Sequence, residues 1–184
     1  MGNWKPEKVN GKAVYDRDNT KIGTMDKYWA GWKELDYVFG IKLEPVISAR
    51  YVKGITKLMP VQHGDIATVT ENVSLNKTVE ELSEFWNQEV VAGGGVYSAT
   101  DFWQKHVCDS ENTKIGTIHT TVRATPRGLK LFGLCLEPVI SEKYAEGATN
   151  LVPINAEHIS KVEENVFLNK TIGEISRYWK KTTE

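Results

Sequence analysis

Asn19-Thr20-Lys21-Ile22-Gly23-Thr24 returns later in the chain as Asn112-Thr113-Lys114-Ile115-Gly116-Thr117. The recurrence extends well beyond this stretch. Leu43-Glu44-Pro45-Val46-Ile47-Ser48 returns as Leu136-Glu137-Pro138-Val139-Ile140-Ser141, and Leu75-Asn76-Lys77-Thr78 returns as Leu168-Asn169-Lys170-Thr171. All three pairs share one offset of about 93 residues, and roughly 34 of about 75 positions from Lys12 to Trp86 match their counterparts without a gap. Two copies are too few for a stacked repeat array, and each is long enough for a small core of its own. The chain therefore reads as a tandem duplication. Copy one covers residues 9–90, a linker around Gly93-Gly94-Gly95 covers 91–103, and copy two covers 104–182.

Within copy one, Lys12 to Tyr15 reads as a short strand and Asp16-Arg17-Asp18-Asn19 as a turn, because Asp and Asn bond their own backbone. Extended structure resumes from Ile22 to Trp29, which completes a hairpin. Tyr37 to Ile47 is rich in β-branched and aromatic residues and predicts a longer strand, with Pro45 marking an edge, a bulge or its end. Leu58-Met59-Pro60-Val61 and Val73-Ser74-Leu75 predict two more strands. The last element is different. Thr78-Val79-Glu80-Glu81 is a capping box, repeated as Thr171-Ile172-Gly173-Glu174. Val79, Leu82 and Trp86, and likewise Ile172, Ile175 and Trp179, follow at helical spacing. The spacing predicts a short amphipathic helix whose apolar stripe, closed by a Trp, covers the open side of a small barrel. The fold class expected is mainly β: two tandem small SH3-like β-barrels, each followed by a short C-terminal α-helix.

The opening pattern from Asp16 to Gly23, its counterpart from Asp109 to Gly116, and the closing Leu58-Met59-Pro60-Val61 followed by Ile66 and Val73 resemble the PRC-barrel family. The resemblance covers residues 12–75 and 105–168. It implies a small β-barrel with no shared catalytic centre. Members of that family dock other macromolecules, and the stand-alone archaeal members, some linked to cell division, are nearest in kind. Fold analogy of this sort speaks to architecture before role.

Composition narrows the rest. A net charge of −1, with 40% hydrophobic and 26% charged residues, is that of an ordinary globular chain. It offers no global field to recruit nucleic acid or an anionic membrane. No apolar run has the length of a membrane-spanning helix, and Met1 to Pro6 does not begin a secretion signal. The expected location is therefore cytoplasmic, and Cys108 and Cys135 are expected as free thiols. Asn76-Lys77-Thr78 and Asn169-Lys170-Thr171 match a glycosylation pattern but read as helix starts.

Motifs for chemistry are weak. Asp16, Asp18 and Asn19 crowd oxygen atoms together, yet a calcium loop counted from Asp16 would place Lys21 and Lys27 where Gly and Glu belong. His63, His106, His119 and His158 are not paired by the repeat or by metal-site spacing. Gly93-Gly94-Gly95 lacks the remainder of a phosphate loop. Glu44 and Glu137 are the best doubled acids, but one carboxylate per copy makes no acid–base pair. No enzyme activity, metal or cofactor is expected.

The copies diverge most at their central hairpin. Copy one carries Tyr28, Trp29, Trp32 and Tyr37 there, whereas copy two carries Arg123, Arg127 and Lys130. Trp, Tyr and Arg are enriched at binding hot spots, so these residues form the candidate partner surface. The expected role is a non-catalytic adaptor that docks protein partners through its barrel surfaces, with homodimer formation compatible with the duplication. The alternatives are an RNA- or ribosome-associated factor, drawn from the basic trio, and a small-molecule or redox-sensing domain using Cys108 or Cys135.

Overall fold

The opening hairpin forms where its turn chemistry places it. In the computed structural model, which describes residues 6–29, 38–53, 58–122, 131–147 and 151–180, β1 (Ala13–Tyr15) pairs antiparallel with β2 (Lys21–Trp29). Between them Asn19 takes the left-handed backbone, φ 63°, a region its short polar side chain tolerates. β3 (Val38–Leu43) pairs antiparallel with β2. Gly23 lies at their closest approach, where an added Cβ would collide with the Lys42 carbonyl. A bulge between Met25 and Lys27 increases the twist of this pair and curls the sheet.

The strand expected over residues 37–47 ends at Leu43. Pro45 starts a helix instead, α1 (Pro45–Tyr51). At the first helical position the missing N–H costs nothing and the fixed φ suits the helix, so the proline initiates rather than bends. β4 (Met59–Gln62) returns to pair with β3. A single 3-10 turn, His63–Asp65, leads to β5 (Ile66–Val69), which pairs with β6 (Val73–Leu75). β6 closes onto β1 in parallel, with Val14 opposite Val73. The resulting sheet, in the order β4-β3-β2-β1-β6-β5, is a curled half-barrel.

α2 (Val79–Trp86) ends the copy and supplies its lid. Thr78 and Glu81 form the capping box, with the Thr78 Oγ1 accepting from the Glu81 N–H at 3.2 Å and the Glu81 Oε2 accepting from the Thr78 N–H at 2.8 Å. Val79, Leu82 and Trp86 are buried, together with Val14, Ile22, Met25, Phe39, Ile41, Met59, Val61 and Leu75 of the sheet. Burial of each large apolar side chain contributes about 1.5–3 kcal/mol, so the helix stripe is a substantial part of this core. The Trp86 indole N–H donates to the Pro60 carbonyl at 2.9 Å, which satisfies its one polar atom inside.

Residues 91–103, read as a linker, are folded. β7 (Glu89–Ala92) and β8 (Gly95–Ser98) make a hairpin with Ala92 opposite Gly95. Gly93 and Gly94 form its two-residue turn at φ 55° and 75°. Two successive positive φ angles are what a tight hairpin turn demands, so the glycines serve a turn and not a tether. The described residues divide into two units, the first running through Gln88 and the second starting at Glu89. The hairpin belongs to the second.

Copy two repeats the path. β9 (His106–Cys108), β10 (Lys114–Val122), β11 (Leu131–Leu136), α3 (Pro138–Tyr144), β12 (Val152–Asn155), β13 (Ile159–Val162), β14 (Val166–Leu168) and α4 (Ile172–Lys180) follow in the same order. The sheet order β12-β11-β10-β9-β14-β13 is the same, and β14 meets β9 in parallel with Val166 opposite Val107. The main bulge falls between Ile118 and Thr120, the counterparts of Met25 and Lys27. Ile172, Ile175 and Trp179 are buried, and the Trp179 indole donates to the Pro153 carbonyl at 3.0 Å. Each copy is thus a curled β-sheet followed by a C-terminal helix.

Candidate functional site

Most residues that the copies share are engaged in holding each unit together. Asp16 leaves β1 with its carboxylate buried. Its Oδ1 accepts from the Asp18 and Thr20 N–H groups at 3.0 and 2.8 Å, and its Oδ2 accepts from the Val79 N–H at 3.0 Å. One side chain therefore shapes the hairpin turn and binds the first turn of α2, where free N–H groups favour an anion. Asp109 repeats this with Glu111, Thr113 and Ile172 at 3.0, 2.9 and 3.0 Å. Both carboxylate oxygens of Asp16, and both of Asp109, are thus taken by backbone donors.

The doubled acids Glu44 and Glu137 are also paired. Glu44 meets the Lys21 ammonium at 2.7 Å, and Glu137 meets Lys114 at 2.9 Å. Hydrogen bonding to Glu44 holds the Lys21 ammonium above its ordinary range. Lys12 and Lys105 reach across to the carbonyls of Thr70 and Glu163 in the β5–β6 and β13–β14 turns. Copy one adds a tie between its helices: the Tyr51 hydroxyl donates to the Glu80 carboxylate at 2.6 Å, which lowers the Glu80 carboxyl and raises the Tyr51 phenol. Gly173 replaces Glu80 in copy two.

Two shared residues are different. Val46 on α1 and Val139 on α3 occupy the same position and are 72% and 73% exposed. Near the other end of each helix a cation stacks on a tyrosine: Arg50 lies 5.1 Å from the Tyr51 ring centroid, and Lys143 lies 5.1 Å from that of Tyr144. Nothing in the sequence singled out these valines beyond their presence in the repeated motif.

The sequence-derived partner surface is placed only in part. Tyr28 and Trp29 are the last residues of β2, opposite Phe39 and Val38. Trp32, Tyr37, Arg123, Arg127 and Lys130 lie outside the described residues. The helix residues Val79, Leu82, Trp86, Ile172, Ile175 and Trp179 are buried in their own units.

The histidines do not converge. His63 begins the 3-10 turn after β4, His106 sits on β9 with Nδ1 3.2 Å from the Thr117 hydroxyl, and His119 lies at the β10 bulge. Among the described residues no group of three or more His, Cys, Asp or Glu side chains is placed to hold a metal ion. His158 is the exception in its environment, because it is buried and its Nδ1 has no hydrogen-bond partner among the described residues. Burial, helped by the nearby Lys170 charge, pushes its imidazole below the ordinary range. Alignment of the copies sets His158 on Asp65, an exchange of an acid for a base that is visible in the sequence.

Cys108 on β9 is buried and Cys135 on β11 is half-buried, and neither is in a disulfide. Burial, then the Asp109 carboxylate, pushes the Cys108 thiol up, which disfavours the reactive thiolate. No helix among the described residues is long and apolar enough to cross a membrane. No protein-family model matches the chain, and no curated protein matches its sequence.

Proposed function

We propose that this chain is a tandem PRC-type barrel protein that acts as a non-catalytic cytoplasmic adaptor, docking protein partners. The observation that carries the reading is the pair Val46 and Val139. Single exposed valines are ordinary on any surface. Here the same side chain stands open at the same place in both copies, while the glutamate two residues before it is paired with a lysine in each. Each valine lies on a short helix with a cation stacked on a tyrosine, and Tyr and Arg are frequent in binding hot spots. Two equivalent contacts on one chain raise avidity for a partner that engages both. The engagement of Asp16, Asp109, Glu44 and Glu137 in structural bonds supports the same reading, since it removes the doubled acids from acid–base work.

Cross-linking in source cells followed by mass spectrometry tests the proposal, with wild type compared against Val46→Glu/Val139→Glu and Trp29→Ala/Trp32→Ala. Loss of specific protein partners from either variant, at an unchanged unfolding midpoint, supports docking. Retention of the same partners by both variants overturns it. Capture that disappears with ribonuclease and falls steeply with salt would move the function to RNA association.

A further inference from the structure

The two copies differ in kind at one buried position. In copy one, Asp65 ends the 3-10 turn His63–Asp65. Its Oδ1 lies 2.7 Å from the Lys77 ammonium, and its Oδ2 accepts from the Gln62 N–H at 3.1 Å. Copy two retains the lysine as Lys170 but replaces the acid with His158, at the end of the turn Ala156–His158. An anion–cation pair has become a neutral ring beside a cation. His158 is 9% exposed, and its ring centroid lies 5.7 Å from that of Tyr178, while the Lys170 Nζ lies 5.4 Å from the same tyrosine centroid.

The hairpin β7–β8 packs on this turn and on the adjoining strand. Val90 and Ala92 are its buried residues. The Gly93 N–H donates to the Ile159 carbonyl at 3.1 Å, one residue after His158. The fit is tight, for a Cβ at Gly93 would lie 2.9 Å from the Lys161 nitrogen. Whatever displaces His158 therefore acts directly on the seat of the hairpin.

We propose that His158 is an acid-released latch: the neutral ring seats the Ala156–His158 turn against the β7–β8 hairpin, and protonation frees the hairpin from β13. A protonated ring carries an N–H on both nitrogens, and the Nδ1 donor would have no acceptor among the described residues. The added charge would also be repelled by the Lys170 ammonium, which faces the same tyrosine. Among the described residues the charged groups around the ring are few. Glu157, in the same turn, opposes the effect, but it is 3.8 Å from Nε2 and 63% exposed. Lys170 lies two residues before α4, and Tyr178 lies on α4. β7 brings Glu89, which is exposed, and β13 brings Lys161, which is exposed and paired with Glu163 at 2.7 Å. The direction follows from linkage. A histidine whose folded pKa lies below its free value of 6.5 contributes fully above that value, and the contribution is lost as pH falls through it toward the folded pKa.

Amide hydrogen exchange, corrected for intrinsic rates and compared at about pH 7.5 and about pH 5.5, reads the latch on the full chain. If the seated ring takes no proton, one unit below the free value raises the opening constant by about tenfold. Protection at Gly93 and Val90–Ala92 is expected to fall by that factor, while Ile66–Val69 of copy one stay level. His158→Asp recreates the Asp65–Lys77 arrangement with Lys170 and is expected to remove the pH effect. If it does not fold, His158→Asn, which has no titrating group, is expected to do the same. Unchanged wild-type protection, a pH effect that survives in the folded variant, or a nuclear magnetic resonance titration of His158 at or above 6.5 overturns the proposal.

Discussion

Removing the Asp16 carboxylate tests the joint on which copy one turns. Three backbone N–H groups meet it, at 3.0, 2.8 and 3.0 Å. They are not equivalent. The Asp18 and Thr20 amides sit in an exposed turn, where water replaces the lost acceptor, so together they account for about 1 kcal/mol. The Val79 amide is in the first turn of α2, has no acceptor within the helix, and makes a buried bond. Leaving such a donor unmade costs about 1–3 kcal/mol. Asp16→Ala should therefore destabilise the first unit by about 3 kcal/mol. Asp16→Asn keeps one oxygen for the turn but aims an amide donor at the Val79 N–H, for a loss of about 2 kcal/mol. Urea unfolding followed by hydrogen exchange on peptides spanning residues 66–75 and 159–168 resolves the two units. With a slope near 1 kcal/mol per molar urea for so small a unit, the first-unit midpoint should drop by about 3 M for the alanine variant. A shift under about 0.5 M would refute the assignment of Asp16 as the clamp between hairpin and helix.

Trp86→Phe shortens the lid of copy one and strips the Pro60 carbonyl of its donor, so a loss of about 2–3 kcal/mol is expected in chemical denaturation. Gly93→Ala combines a positive φ with a Cβ pressed against β13, and should lower protection of the Glu89–Ser98 amides while leaving copy one unchanged in hydrogen exchange. Cys108, buried and with its thiol pushed up, should alkylate slowly in the native protein near neutral pH and rapidly once unfolded; mass spectrometry of the 105–114 peptide measures both rates. Val46→Glu and Val139→Glu should each alter the unfolding free energy by less than about 0.5 kcal/mol, because both side chains already face solvent.

Local chemistry made much of this architecture legible. The Thr-x-x-Glu boxes and the 3.6-residue spacing of Val79, Leu82 and Trp86 specify a helix and its buried face independently of anything distant. Asp16 to Asn19 specify a turn in the same way. Other stretches are ambiguous because one residue type serves two geometries. Pro45 ends a strand and also starts a helix, and the choice depends on what the next turn packs, here Ile47. Gly93-Gly94-Gly95 suits a tether or a tight turn, and only the Val90–Tyr97 and Val91–Val96 pairings decide for the turn. The features that bear on function were the least readable. The role of Asp16 depends on Val79, far along the chain, and the openness of Val46 depends on how the described residues pack around α1. His158 differs from Asp65 in the written sequence, but its burial and its vacant nitrogen are properties of the folded surroundings.

The parallel closure of β1 on β6 and of β9 on β14 also has a kinetic meaning. Each pairing joins the two ends of its copy, so loop entropy delays it until most of the intervening chain is ordered. Both closures use the same central contact, one valine against another. During refolding from denaturant each late-arriving strand thus meets two acceptors of matching register, its own and its twin's. Synthesis from the N-terminus removes that ambiguity, since the first closure can complete before the rival strand has left the ribosome.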